Sequence, residues 1–206
     1  MITASHNPPE DNGVKLVDPM GEMLEGSWEA YATTLANAPS SEALADAYER
    51  LVKELEINLA IPACAVFARD TRASGPRLVS ALLEGLKSTD VAHIDLRLLT
   101  TPQLHYVTRC LNTRGTAFDY GEASEQGYYQ KIAESFRAAL GDKIVHGALT
   151  VDCANGVGAP KLKELIKYLP SAAQGGIDIK VVNDDIVKPE SLNHQVSSFV
   201  RQIVTS

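Results

Sequence analysis

Apolar residues fall at helical spacing early in the chain. Trp28, Tyr31, Ala32 and Leu35 lie three or four positions apart and predict one face of a helix between Ser27 and Asn37. Pro39 ends that element. Ser40-Ser41-Glu42 opens a second helix, with Leu44, Ala47, Tyr48, Leu51, Val52 and Leu55 along one side. The many Glu and Lys residues of this helix form its solvated face. The period then changes. Cys64-Ala65-Val66-Phe67-Ala68 is a short continuous apolar run, which predicts a buried strand ending at Arg69-Asp70. A helix over about 75–87 and a strand over 91–99 follow, and Thr101-Pro102 starts another helix with proline in its first turn. Strand, helix, strand, helix is the signature of an α/β layer.

The stretch 112–125 is polar and contains Gly115 and Gly121, so a domain boundary is placed near Tyr120. It divides the chain into a first domain, 1–119, and a second, 120–206. In the second, the pattern predicts a helix over 125–140, a strand over 148–152, a turn at Ala154-Asn155-Gly156, a helix over 159–169 and a strand over 177–182. No internal repeat is visible.

Composition narrows the classes. The 206 residues have room for one large domain or two small ones, and 45% apolar content supports a sizeable core. A formal charge of −7 without any Lys/Arg block argues against a nucleic-acid or anionic membrane surface. Three widely spaced cysteines, Cys64, Cys110 and Cys153, fit no zinc pattern and no disulfide framework. Two of them sit inside apolar runs and read as small core residues. A reducing compartment is the simplest inference. No signal peptide and no bilayer-spanning run is present, so the expectation is cytoplasmic.

The chemistry concentrates near residue 5. Thr3-Ala4-Ser5-His6-Asn7-Pro8 is followed by Asp11-Asn12-Gly13-Val14-Lys15. Asn-Pro favours a turn and moves Asn7 out of the α region, leaving the Ser5 hydroxyl on a loop. A loop serine can carry a phosphoryl group, whose charge calls for a divalent cation, a lysine or backbone N–H groups. Asn12-Gly13 is a second turn signal, which would bring Lys15 back toward that loop. The plain alternative is a polar surface loop before a strand over 14–17. Asp70, flanked by Arg69 and Arg72, either ties a strand end to a helix start or shapes a cleft. His93, His105, His146 and His194 lack metal-ligand spacing. Gly156-Val157-Gly158-Ala159-Pro160-Lys161 lacks the third glycine of a dinucleotide fingerprint and the Gly-Lys-Ser/Thr of a P-loop, so a strand-to-helix turn explains it better. No Gly-x-Ser-x-Gly elbow surrounds Ser5.

The TASHNP run with DNGVK behind it resembles the active-site serine loop of the α-D-phosphohexomutases. Residues 17–24 and Ser27-Trp28-Glu29 resemble the subgroup that handles N-acetylglucosamine phosphate. So do Arg69-Asp70-Thr71-Arg72, the run 98–106, Gly127-Tyr128-Tyr129-Gln130-Lys131 and the run 151–158. The Arg-Asp-x-Arg element follows the serine loop here, as in the eukaryotic phosphoacetylglucosamine mutases. In most phosphohexomutases it precedes it. The resemblance runs from Ile2 to about Leu169 and fades in the tail from about 190.

It implies mixed-sheet α/β domains, with domain 1 incomplete at its front and domain 2 incomplete at its end. Ser5 would be the phosphoserine that passes its phosphoryl group to the sugar phosphate and recovers one from the resulting bisphosphate. His6 and Lys15 would stabilise its charge or move a proton, although His6 could equally only order its loop. Mg2+ is the implied cofactor, held here by Ser5 through its phosphate. The family's Asp-Gly-Asp-x-Asp-Arg metal loop has no match, and Asp184-Asp185 sits in a different context. The implied reaction interconverts N-acetylglucosamine 6-phosphate and 1-phosphate in UDP-N-acetylglucosamine biosynthesis, with a phosphosugar as partner. The chain alone is expected to be inactive, because the metal carboxylates and sugar-binding loops are not in it. A phosphoglucomutase or phosphomannomutase is disfavoured by the motif order and the LLTTPQLHY run. A non-catalytic remnant that binds a partner is the alternative from another class.

Overall fold

A computed structural model describes residues 1–4 and 7–187. Ser5, His6 and the tail from about 190 therefore lie outside the described residues. The first sheet has four strands in the order β2-β1-β3-β4: β1 (Ile2–Thr3), β2 (Gly13–Val14), β3 (Cys64–Arg69) and β4 (Ala92–Leu98). β1 runs parallel to β3 and β3 to β4, while β2 returns antiparallel on β1, so the sheet is mixed. The helices are α1 (Trp28–Ala36), α2 (Ser41–Glu54), α3 (Gly75–Ser88), α4 (Thr101–Thr113), α5 (Glu125–Leu140) and α6 (Gly158–Ile166). A second sheet pairs β5 (Ala148–Asp152) in parallel with β6 (Asp178–Val182), and α6 forms the crossover between them.

Most predicted elements form within a residue or two of the expected ends. The differences have local causes. A strand was expected over 14–17, but β2 stops at Val14 because β1 offers only two residues to pair. Met1 carries the pairing one step further: its amino group donates to Lys15 O and its carbonyl accepts from Lys15 N, both at 2.8 Å. Val17 bridges Met23 instead, around a tight turn at Asp18–Gly21. α6 stops at Ile166 rather than near 169, with Pro170 close behind. Cys64 is exposed at the mouth of β3, whereas Cys110 is fully buried in α4; only the latter behaves as a core residue.

α4 is the helix around which both cores form. Toward the sheet, Leu104 packs with Met1, Ala68 and Leu99. On another face Tyr106, Val107 and Cys110 pack with Leu96, Tyr120 and Tyr128. The junction with α5 and α6 is aromatic. Tyr120, Tyr106, Tyr128, Tyr129 and Tyr168 form a continuous string with successive ring centres 5.5–6.1 Å apart. Burial raises the pKa of the Tyr106 and Tyr129 phenols above the ordinary 10.0, helped at Tyr106 by Cys110 and at Tyr129 by its bond to Glu125. Among the described residues no helix is long and apolar enough to cross a membrane.

The turn at Gly21 is pressed against α4. Gly21 O accepts from His105 Nδ1 at 2.9 Å, and Gly21 has φ +74°. A Cβ there would lie 2.4 Å from the His105 carbonyl oxygen. Gly21→Ala should therefore cost ~2–4 kcal/mol, combining left-handed strain with overpacking against backbone. Urea denaturation measures it, and a loss below about 0.5 kcal/mol, the ordinary surface range, would show that the turn yields freely. Stability should also fall as pH rises above 10.0, because the unfolded chain releases the Tyr106 and Tyr129 protons first while the fold still holds them. Denaturation midpoints between pH 8 and 11 test this; a flat profile above pH 10 would contradict it.

Candidate functional site

Three segments converge at the carboxyl ends of the parallel strands, the edge where α/β sheets place their ligand sites. They are the loop after β1, the turn 70–74 between β3 and α3, and the start of α4. Asp70 N donates to Ile2 O at 3.1 Å, and Leu99 N to Arg69 O at 3.2 Å, which holds the three strand ends level.

The Asp70 carboxylate organises the edge. Its Oδ2 accepts from Thr3 Oγ1 at 2.7 Å and from Arg72 Nε at 3.0 Å, and its Oδ1 accepts from Arg72 N at 3.0 Å. Thr3, Asp70 and Arg72 are all buried, so this is a buried ion pair with extra hydrogen bonds. Arg72 then reaches across the loop, its Nη1 donating to Asn7 O at 3.0 Å. Asn7 N donates to Ala4 O at 3.0 Å, drawing the described ends of the loop together. Asn12 Nδ2 donates to Ser74 Oγ at 3.0 Å, tying the return of the loop to the start of α3. The loop is thus gripped before and after residues 5 and 6 by one Asp-x-Arg unit.

The start of α4 leads away from the same edge. Gln103 Oε1 accepts from Thr100 N at 2.9 Å and from Thr100 Oγ1 at 3.0 Å, and Gln103 Nε2 donates to Tyr129 OH at 3.1 Å. Tyr129 OH donates to Glu125 Oε1. Both Glu125 oxygens accept from Lys161 Nζ, at 2.9 and 2.8 Å. An unbroken polar chain therefore links the site edge to α6.

The profile described as phosphoglucomutase/phosphomannomutase, alpha/beta/alpha domain I, matches residues 1–42 and 36–118. The chain belongs to the α-D-phosphohexomutase family. Phosphoacetylglucosamine mutase of Candida albicans is 49% identical over 94% of this chain and 37% of its own length. The Homo sapiens phosphoacetylglucosamine mutase is 44% identical over 94% and 35%. A crystal structure of the Aspergillus fumigatus N-acetylphosphoglucosamine mutase with GlcNAc-6P and magnesium superposes with a TM-score of 0.85 at 62% identity, covering 94% of this chain and 35% of that one. A serine-to-alanine variant of that enzyme with glucose 1,6-bisphosphate gives a TM-score of 0.89 at 61% identity over the same shares. The chain thus spans a little over a third of the length of the phosphohexomutases it matches.

Of the residues singled out by resemblance to phosphohexomutases, Ser5 and His6 lie outside the described residues. Lys15 is exposed and stands opposite Met1, two positions along its strand from the Thr3↔Gly13 pair. At ~3.4 Å per residue, its backbone lies about 7 Å from the Thr3 level. The hairpin does bring Lys15 back beside β1, but toward the start of that strand. Asp70 fills the first role considered for it, an ion pair at the strand end before α3, and also holds the start of the loop through Thr3. Asp152 resembles it on a smaller scale. Its Oδ1 accepts from Ala154 N at 2.9 Å and its Oδ2 from Asn183 Nδ2 at 2.8 Å, so the Asp152–Gly158 run is a turn held by the end of β6 and the residues after it. Asp184 pairs with Lys163, which lowers its pKa. Sequence reasoning missed Thr3 as a clamp residue and the Gln103–Tyr129–Glu125–Lys161 chain. Thr100-x-x-Gln103, a capping-box pattern, was the available signal for its first member.

Asp70→Asn removes the charge that Arg72 needs. We expect a loss of ~3–5 kcal/mol, the cost of stranding one partner of a buried pair. Thr3→Val removes one bond to a charged acceptor and should cost about 1–3 kcal/mol. Urea denaturation of both variants decides the matter, and Asp70→Asn costing less than Thr3→Val would remove the clamp's central role.

Proposed function

We propose that this chain is the serine-loop portion of a phosphoacetylglucosamine mutase, interconverting N-acetylglucosamine 6-phosphate and N-acetylglucosamine 1-phosphate for UDP-N-acetylglucosamine synthesis. The observation that carries the proposal is the Asp70–Arg72 grip on Thr3 and Asn7, either side of the loop, at the carboxyl edge of the sheet. Phosphoryl transfer asks little covalent chemistry of the protein beyond a nucleophile held in line with its acceptor, so a rigidly framed loop is the main local requirement. Ser5 is the group we assign to carry the phosphoryl, with His6 and Lys15 as its charge partners and the sugar phosphate as its acceptor. Similarity to mutases crystallised with GlcNAc-6P, in substrate and in product complexes, supports that sugar over glucose or mannose.

Magnesium belongs to the proposal only through the Ser5 phosphate. Among the described residues no three His, Cys, Asp or Glu side chains come together, so those residues do not fit a complete magnesium site, and no step is routed through the ion. The division near Tyr120, with α5 opening the second unit, is also part of this reading. So is a reducing, cytoplasmic setting, in keeping with three unbonded cysteines.

A chimera tests the reading. Residues 1–187 of this chain replace the matching third of the Candida albicans mutase, and turnover of N-acetylglucosamine 6-phosphate is followed. The chimera should turn over the substrate. Ser5→Ala in it should lose about a thousandfold or more in kcat, as expected for removal of a covalent nucleophile. The 206-residue chain by itself should give no turnover. A chimera that isomerises glucose phosphate in preference, or that tolerates Ser5→Ala, would overturn the proposal.

A further inference from the structure

A cavity of about 490 Å³ opens between α4, the segment 115–124 and α5, with neither Asp70 nor Arg72 in its wall. That is the size of a small-molecule pocket. Its wall is largely aromatic and apolar, with Pro102, Tyr106, Tyr120, Tyr128 and Ile132. Its charged members are Arg109 and Lys131, and no carboxylate lines it. The two cations share one ring: the Arg109 guanidinium lies 4.2 Å and Lys131 Nζ 3.9 Å from the centre of Tyr120.

Their hydrogen bonding is incomplete. Lys131 Nζ donates to Tyr120 O at 2.8 Å. Arg109 Nε is buried and has no acceptor, while the guanidinium stacks on the Tyr120 ring. A guanidinium carries five N–H donors in a planar fork, and leaving the buried Nε–H without an acceptor is unfavourable. A second cation beside it adds like-charge repulsion. An anion with several acceptor oxygens in the cavity lowers both costs, and a phosphate matches the fork.

We propose that this cavity is a binding site for a small organophosphate. Its phosphate pairs with Arg109 and Lys131, and its flat or apolar body lies along Tyr128, Pro102 and Ile132. The site is distinct from the loop of residues 4–7, because its residues come from α4, α5, the polar stretch between them and the turn at Gly21. Occupancy would tighten the contact between those helices, since Arg109 and Lys131 sit on opposite sides of the junction.

Adenosine 5′-monophosphate and inorganic phosphate serve as probes in calorimetric titrations of the 206-residue chain. The nucleotide should bind saturably, about tenfold or more tighter than inorganic phosphate. Arg109→Met should weaken the nucleotide about tenfold or more, the effect of losing a charge-assisted pair. Because Arg109 also packs on Tyr120, Ile132→Glu gives an independent check. Ile132 is 36% exposed at the rim, and a carboxylate there should repel the phosphate without disturbing the fold. Circular dichroism confirms folding of each variant. Failure of the nucleotide to bind, or binding unchanged in Ile132→Glu, would overturn the site. Inorganic phosphate binding as tightly as the nucleotide would overturn the assignment of an organic body.

Discussion

The site edge depends on one buried carboxylate. Asp70 receives a hydroxyl from β1, and a backbone amide and a guanidinium from the turn after β3. A charge at that depth persists only if nearly all its lone pairs are used, which leaves the surrounding groups little freedom. Arg72 transmits this constraint outward, because the same guanidinium that neutralises Asp70 also binds Asn7 O. The loop is therefore positioned by electrostatics acting through a short strand, not by its own sequence preference. Asn-Pro turns the chain, but the Asp-x-Arg unit decides where that turn sits.

The second organising constraint is the double duty of α4. Leu104 faces the sheet while Tyr106 and Cys110 face the tyrosine string, so neither core can shift without moving the other. Its first turn is also part of the polar chain from Thr100 to Lys161. Gln103 is 1% exposed and Tyr129 3%, so water cannot substitute for these partners at low cost. The unit containing β5 and β6 is thereby tied, through Glu125 and Tyr129, to the same helix start that borders the loop.

Elements with long or strongly periodic patterns were legible because their burial is encoded locally. α2, α3, α5 and the strands β3 to β6 follow from spacing and breakers alone. β1 was not legible, since two residues carry no period and become a strand only when Arg69 and Gly13 flank them. The candidate site divides in the same way. Ser5, His6 and Lys15 came from resemblance to a motif, whereas what grips their loop spans 67 residues from Thr3 to Asp70, a separation no local pattern encodes. The pair Glu125–Lys161 is 36 residues apart and was invisible for the same reason. Cys64 misled because an apolar run does not say which of its ends emerges at the sheet's mouth.

Geometry of the loop and chemistry of the loop are separable in this fold. Among the described residues those that frame it, Thr3, Asn7, Asn12, Asp70, Arg72 and Ser74, fall within the 118 residues matched by the family profile. The described ends of the loop are thus held by contacts within that span. In-line transfer demands more, because the acceptor must be held by groups that the sheet edge does not provide. The polar chain from Thr100 through Tyr129 and Glu125 to Lys161 shows how such groups can be kept in register. It fixes the neighbouring unit to the helix beside the loop through buried, directional bonds, whereas apolar packing alone would permit sliding. The edge at β1 and the segment at α6 are thus connected in two stages, first the local grip of Asp70, then the polar chain that runs from Thr100 to Lys161.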